Sequence, residues 1–81
     1  MKFVNIGFGN TVNIDKIVSV VSPESATIKR IVQMSKAAST LVDATYGRKC
    51  QAVIITDSDY IVLSALTPET IASRMEGREN E

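Results

Sequence analysis

The chain has 81 residues, nine basic and nine acidic side chains, a single cysteine and no histidine. This length allows one domain, and no apolar run approaches the ~20 residues that a membrane-spanning helix needs. Without histidine the chain lacks the commonest general base and metal ligand, and one cysteine excludes an internal disulfide.

The composition favours a cytoplasmic protein that associates with itself. Residues 1–5 lack the apolar core of a signal peptide, and the lone Cys50 fits a reducing compartment. Apolar residues make up 44% of the sequence, whereas a chain this short buries only a modest share of its surface. A symmetric homo-oligomer would bury the excess, so we expect one.

The charges are unevenly distributed along the chain. Residues 1–75 hold eight basic and six acidic side chains, whereas residues 76–81 hold three glutamates and one arginine. We predict one domain over residues 1–76 and a flexible acidic tail over residues 77–81. The body is weakly basic, so a net charge of zero does not exclude binding to nucleic acid.

The first part of the chain predicts three short strands. Phe3–Ile6 and Thr11–Ile14 flank a turn at Gly7–Asn10, where two glycines and an asparagine favour unusual backbone angles. Ile17–Val21 is almost entirely β-branched, which is typical of a buried strand.

A helix is predicted to follow the third strand. Ser22 suits the N-cap, Pro23 suits the first helical position, and Glu24 complements the helix dipole. The helix is expected to end near Ala38, where small polar residues follow. Its buried stripe is predicted from apolar residues at three- and four-residue spacing, namely Ile28, Ile31, Val32, Met34 and Ala38.

The second part predicts a hairpin, a further strand and a second helix. Residues 41–46 and 51–56 are predicted to pair around a turn at 47–50, and residues 60–66 follow as a strand. Residues 67–69 repeat the cap, proline and acid of a helix start, with a buried face of Ile71, Ala72 and Met75. The predicted fold class is a small single α+β domain, with a mostly antiparallel sheet of about five short strands and two helices.

Arg48 and Lys49 are the most informative pair in the sequence. They stand at the tip of the predicted hairpin, where two charges must face solvent or a partner. The fork of arginine and the point charge of lysine suit the oxygens of a phosphate backbone. Keeping the turn soluble explains this local pattern equally well. The residues that could extend a phosphate-binding patch are Lys16, Lys29, Arg30 and Tyr46.

Three other segments are weaker candidates for a site. Gly7–Asn10 is glycine-rich, but a strand rather than a helix follows it, so a turn with a half-buried Phe8, or an oligomer contact, is favoured over phosphate binding. Asp57 and Asp59 lack a third metal ligand nearby, and Cys50 lacks a partner base. We therefore expect no cofactor, no metal and no enzymatic activity.

Several blocks of sequence together carry a resemblance that no single motif provides. They are NIGFGN at 5–10, SPESA at 22–26, DATYGR at 43–48, AVIITDSD at 52–59 and LSA at 63–65. From about Phe3 to Arg74, the chain resembles the RemA family of small bacterial regulators, which control extracellular-matrix genes in biofilms. The resemblance implies a DNA-binding transcriptional regulator that uses no cofactor and forms a homo-oligomeric ring, with an octamer as the family's form.

The resemblance also implies which residues bind double-stranded DNA. It places them at Lys16, ahead of the third strand, and at Arg48 and Lys49. The family usually has arginine at positions 16 and 49 and commonly a basic residue at 51, where this chain has Gln51. The bidentate fork therefore persists only at Arg48, and Gln51 is an accessory candidate for a DNA contact.

Two classes of function remain open from the sequence. The first is a DNA-binding regulator whose ring repeats Lys16, Arg48 and Lys49 along one rim, so that many weak phosphate contacts add together. The second is a ring-forming interaction scaffold for a protein or RNA partner. Neither class involves a membrane or a small-molecule substrate.

Overall fold

Two β-sheets and two helices make up residues 2–77, the part of the chain that the computed structural model describes. This arrangement confirms the α+β class and the two helices, but the described residues contain six strands in two sheets rather than about five in one. The elements are β1 (Phe3–Gly7), β2 (Asn10–Asn13), a short 3-10 helix (Ile14–Lys16), β3 (Ile17–Val21), α1 (Ala26–Ala37), β4 (Leu41–Asp43), β5 (Ala52–Thr56), β6 (Ile61–Ser64) and α2 (Pro68–Met75).

The larger sheet has the strand order β3-β5-β6-β4. β5 is antiparallel to both of its neighbours, whereas β4 runs parallel to β6. The predicted hairpin between residues 41–46 and 51–56 is therefore wrong, because β6 lies between these two strands. The reason is burial: Ala52, Val53 and Ile54 are fully buried, so β5 takes a central position with both faces covered.

The main core lies between the larger sheet and the β1–β2 hairpin. Ile54 and Val62, which pair across β5 and β6, pack in one cluster with Val4 and Ile6 of β1 and with Ile71 of α2. The smaller sheet and α2 therefore cover one face of the larger sheet. This places the turn between β1 and β2 close to the ends of the central strands.

Helix α1 lies on the other face and begins later than the sequence predicted. Its N-cap is Ser25, whose hydroxyl accepts a hydrogen bond from the amide of Thr27 at 3.1 Å. The hydroxyl of Ser22 instead accepts from the amide of Glu24, within the preceding turn. Both serines can cap an amide, and the helix begins at the second one.

The buried stripe of α1 also differs from the prediction. Ser35 is buried, whereas Met34 is 65% exposed. The observed stripe is Ile28, Ile31, Val32 and Ser35, which keeps the spacing of one helix face better than Met34 does.

Strand β3 is an edge strand rather than the predicted buried one. A shift in register between Ile17 and Ser19 turns Val18 outward, where it is 66% exposed. Ile17 and Val20 pack against the core. The β-branched residues of β3 therefore do not all lie in the core, since β3 is covered on one face and its Val18 is exposed.

The last helix follows the prediction more closely. Thr67 is its N-cap and accepts a hydrogen bond from the amide of Thr70, and Pro68 begins the helix. Ile71 is buried and Met75 packs against the core, but Ala72 is exposed. Of the predicted flexible tail only Gly77 is described, and residues 78–81 lie outside the described part. Within residues 2–77, neither helix is long and apolar enough to span a bilayer.

Candidate nucleic-acid interface

The segment from Ala44 to Gln51, here called the cationic loop, connects β4 to β5 by crossing the end of β6. The amide of Ala44 donates to the carbonyl oxygen of Leu63 at 2.9 Å, and the amide of Gln51 donates to that of Ser64 at the same distance. Both ends of the loop are thus held by consecutive residues of one strand. Arg48 and Lys49 lie on this crossover and not at a hairpin tip.

Hydrogen bonds inside the loop fix its first turn. The amide of Thr45 donates to Asp43 Oδ1 at 3.0 Å, and the hydroxyl of Thr45 donates to the same oxygen at 2.6 Å. These bonds, the hydroxyl bond first, lower the pKa of Asp43 because they favour its charged form. The amide of Arg48 then donates to the carbonyl of Thr45 at 3.0 Å, which closes a four-residue turn.

Two turns in the molecule share the same unusual backbone. Phe8 and Gly9 have φ angles of 55° and 78°, and Tyr46 and Gly47 have φ angles of 55° and 79°. Positive φ at both central residues is what a type I′ turn requires, and asparagine or aspartate usually precedes the glycine there. This conformation costs an ordinary residue roughly 1–2 kcal/mol. The backbone is therefore strained at the aromatic residue of each turn.

The aromatic residues of the two turns, here called the aromatic pair, stack on each other. The ring centroids of Phe8 and Tyr46 are 5.3 Å apart with an interplanar angle of 22°. The guanidinium carbon of Arg48 lies 5.8 Å from the centroid of the Phe8 ring. Such a stack is worth about 0.5–1.5 kcal/mol, which does not offset two left-handed aromatic residues, and both rings stay exposed, Phe8 by 50% and Tyr46 by 81%.

A shallow cleft of about 410 Å³ lies beside the aromatic pair and contains no acidic residue in its lining. Arg48 and Lys49 are both exposed, and within residues 2–77 neither forms an ion pair. Their charges are therefore available to an anion. The lining residues are Phe8, Arg48, Lys49, Gln51, Ala65 and Leu66.

Lys16 lies at the opposite end of β5 from these cations. Its carbonyl accepts a hydrogen bond from the amide of Asp57 at 2.9 Å, just beyond the C-terminal end of β5. Five strand residues separate this point from the cationic loop, so the chain advances roughly 20 Å between Gln51 and Asp57. The structure therefore does not bring Lys16 together with Arg48 and Lys49. Lys16 follows Asp15 in the chain and lines a different cleft, which also contains no acidic residue in its lining.

The accessory candidates divide between the two faces of the sheet. Tyr46 and Gln51 belong to the cationic loop and stand beside Arg48. Lys29 instead lines a groove beneath α1 that reaches Cys50, and Arg30 is exposed on the same helix. Lys29 and Arg30 therefore do not contribute to the cleft.

Cys50 lies next to two cations but is not activated by them. Burial raises the pKa of its thiol, and the thiol donates to the carbonyl of Ala52 at 3.4 Å. The protonated thiol is a poor nucleophile. Among residues 2–77, no group of three or more cysteines and carboxylates is placed to hold a metal ion.

Ser64 is a positioning residue that the sequence patterns do not reveal. Its buried hydroxyl donates to the carbonyl of Ile6 at 2.8 Å and accepts from the amide of Leu66 at 3.1 Å, while its own carbonyl accepts from Gln51. One residue therefore connects β1, which leads into the Phe8 turn, with the cationic loop. The sequence favours only a turn or an oligomer contact at Phe8, although two matching aromatic–glycine pairs are a visible signal of a shared site.

Comparisons with known proteins agree on one family. The sequence profile of the family described as extracellular matrix regulatory protein A-like, or RemA-like, matches residues 3–75. A protein of Brevibacillus brevis is 58% identical over the whole chain and 94% of its own length, and one of Acetivibrio thermocellus is 59% identical over the whole chain and 87% of its own length. A protein of Moorella thermoacetica is 60% identical over 98% of this chain and 87% of its own length. Each carries the name "Putative regulatory protein".

Proposed function

Because the chain belongs to the RemA-like family of regulatory proteins, we propose that it is a transcriptional regulator that binds double-stranded DNA as a homo-oligomeric ring. Arg48 and Lys49 contact backbone phosphates in this proposal, and Lys16 supplies a further contact. The cofactor-free chemistry of such binding needs only exposed cations with donors for phosphate oxygens.

The observation that carries the proposal is the pair of exposed cations on a fixed loop. Arg48 and Lys49 stand beside a cleft without acidic lining. A loop held at both ends and closed by the Asp43–Thr45 bonds loses little conformational freedom on binding. Charge, access and order at one place favour a phosphate-binding role over a merely soluble turn.

The ring explains how one weakly basic chain could bind a polyanion. Each copy offers two cations at one end of β5 and Lys16 at the other end, so contacts add up only when copies stand side by side. The larger sheet ends in two short strands, β3 and β4, which present Val18 and Val42 to solvent. Exposed apolar edges of this kind favour association between copies.

A scaffold that binds a protein or RNA partner is the second candidate. Met34 on α1 and Val18 on β3 are large apolar side chains that are about two-thirds exposed, which is typical of protein contacts. The same residues could instead lie between copies of the ring. Duplex binding therefore discriminates the two functions better than any apolar surface does.

A gel-shift titration with duplex DNA tests the proposal. The wild type and the double variant Arg48→Ala/Lys49→Ala are compared at ~50 and ~200 mM salt, since phosphate contacts make affinity fall steeply with salt. Light scattering on the same samples gives the size of the assembly. We expect the wild type to bind at low salt and the double variant to lose binding while its assembly stays intact.

A matched control removes two charges elsewhere. Lys2→Ala/Lys36→Ala deletes the same net charge from the residue ahead of β1 and from the last turn of α1. This variant should bind like the wild type. Absence of duplex binding by the wild type at low salt would contradict the proposal and favour the scaffold, and equal losses in both double variants would reduce the effect to net charge.

A further inference from the structure

The aromatic pair has features that phosphate binding alone does not require. Phe8 and Tyr46 come from two separate turns, each with an aromatic residue followed by glycine at positive φ. Asparagine would adopt this backbone more easily than phenylalanine or tyrosine. The turns nevertheless hold large rings in solvent, and backbone strain of this kind clusters at binding sites.

The position of the rings links them to the cations. The Phe8 ring has Tyr46 stacked on it at 5.3 Å and the guanidinium of Arg48 at 5.8 Å. The guanidinium is thereby held beside an aromatic face, and the cleft that continues from it has only basic, apolar and amide lining. Any polyanion that reaches Arg48 therefore meets the rings as well.

We propose that the aromatic pair of Phe8 and Tyr46 is a DNA-contacting element that inserts against a base step in the minor groove, next to the phosphates bound by Arg48 and Lys49. This inference rests on the proposed function and adds a source of sequence preference to it. Apolar side chains that enter the minor groove open base steps, and pyrimidine–purine steps open most easily. The pair therefore favours sites in which such steps face the protein.

The test compares ring-removing substitutions that suit the backbone of the turns. Phe8→Asn and Tyr46→Asn delete the rings and place a residue that accepts positive φ. Tyr60→Asn removes an exposed tyrosine from the turn between β5 and β6 and is the matched control. Each protein selects from a pool of short duplexes with a randomised centre, and the bound fraction is sequenced.

The wild type and Tyr60→Asn should enrich duplexes with pyrimidine–purine steps. Phe8→Asn and Tyr46→Asn should lose this enrichment and at least about tenfold in affinity for the enriched duplex, with the salt dependence on the unselected pool unchanged, because the phosphate contacts remain. Unchanged enrichment in both variants would overturn the inference. So would a smaller assembly in light scattering, because the pair would then be a subunit contact.

A fluorescent base reports the contact directly. With 2-aminopurine at the enriched step, the wild type should raise its emission by unstacking it, and Tyr46→Asn should not; equal emission with both proteins would contradict the inference. The sequence has no tryptophan, so Tyr46→Trp provides a second signal that duplex should quench, whereas Tyr60→Trp should not respond. If the wild type binds no duplex in the pool, the proposed function itself fails, which is a different outcome from binding without ring dependence.

Discussion

The two ends of β5 carry the predicted DNA-binding residues in contrasting surroundings. At the N-terminal end, Arg48 and Lys49 stand on the cationic loop without an acidic lining and beside stacked aromatic rings. At the C-terminal end, Lys16 follows Asp15 and bonds through its backbone to Asp57. Two adjacent cations beside aromatic rings therefore stand at one end, and a single cation preceded by an acidic residue stands at the other.

The three cations are therefore unequal in their surroundings. The cations of the cationic loop combine charge, fixed geometry and apolar contacts, whereas Lys16 offers a single point charge on a flexible stem. We expect the first end to determine whether DNA binds and the second end to adjust how strongly. The following experiments separate the two ends.

Reversal of a single charge should produce the largest difference in DNA affinity between the two ends of β5. Arg48→Glu is expected to weaken duplex binding on the order of 100-fold and to reduce the salt slope by about one for each phosphate that is no longer neutralised. Lys16→Glu should cost on the order of tenfold, because Lys16 is a single point charge and not a forked donor held against an aromatic ring as Arg48 is. Fluorescence anisotropy over a salt series measures the affinity and the salt slope of each variant. Equal reductions in affinity for the two variants would contradict the expected difference between the two ends of β5.

Removal of the acceptors that organise each end should produce the next largest effect. Asp43→Ala deletes the acceptor of two hydrogen bonds from Thr45 and should cost about 1–2 kcal/mol in the free energy of unfolding. Asn13 accepts one bond from the amide of Asp15 at 3.0 Å, and Asn13→Ala should cost about 0.5–1 kcal/mol. Urea unfolding measures both.

The same two variants should differ in DNA affinity. Asp43→Ala loosens the turn that carries Tyr46 and Arg48, so affinity should fall roughly tenfold as binding has to order the loop. Asn13→Ala should change affinity by less than about threefold, because the proposed contact of Lys16 with phosphate uses a flexible point charge that does not depend on exact loop geometry. A larger reduction in affinity for Asn13→Ala than for Asp43→Ala would contradict the expectation that the cationic loop contributes more to DNA binding than Lys16 does.

A smaller effect is expected in how the stability of the chain changes with pH, and it comes from Asp43. The pKa of Asp43 is lower in the folded chain than in the unfolded chain. Its contribution to stability is therefore complete above the unfolded pKa and is lost as the pH falls through the folded pKa. Asp43→Asn should flatten the acid limb of a curve of urea midpoint against pH, and an unchanged limb would assign acid sensitivity to other carboxylates.

Thiol reactivity should give the smallest signal. Because burial raises the pKa of Cys50, iodoacetamide should modify it slowly at neutral pH despite the neighbouring cations, and the rate should rise only at higher pH than for a free thiol. A comparison at the other end is Cys50→Ala/Ser58→Cys, which places a thiol on the exposed turn after β5. Mass spectrometry should show faster modification at position 58.

The sequence predicted which strands and helices form better than it predicted which strands lie side by side. Short strands, two helices and the Thr67–Pro68 helix start followed from local patterns, because caps, prolines and β-branched runs act within a few residues. The order β3-β5-β6-β4 did not follow. It depends on the burial of Ala52, Val53 and Ile54 on both faces of the sheet, which the apolar run at 52–55 suggests only once the rest of the core is known.

The candidate site was predictable to the same degree. Exposure of Arg48 and Lys49 followed from their charge. Their separation from Lys16 and their proximity to Phe8 did not, because both depend on which strand lies beside which. The buried Ser64 carried no sequence signal at all, since a serine within an apolar strand is ambiguous until its hydrogen bonds are known.

The attachment of the cationic loop to neighbouring carbonyls of β6 has an evolutionary consequence. Ala44 and Gln51 bond to Leu63 and Ser64, so the chain between them has a fixed span. An inserted or deleted residue would therefore move Arg48 away from the aromatic ring of Phe8. Natural relatives should therefore keep this length constant.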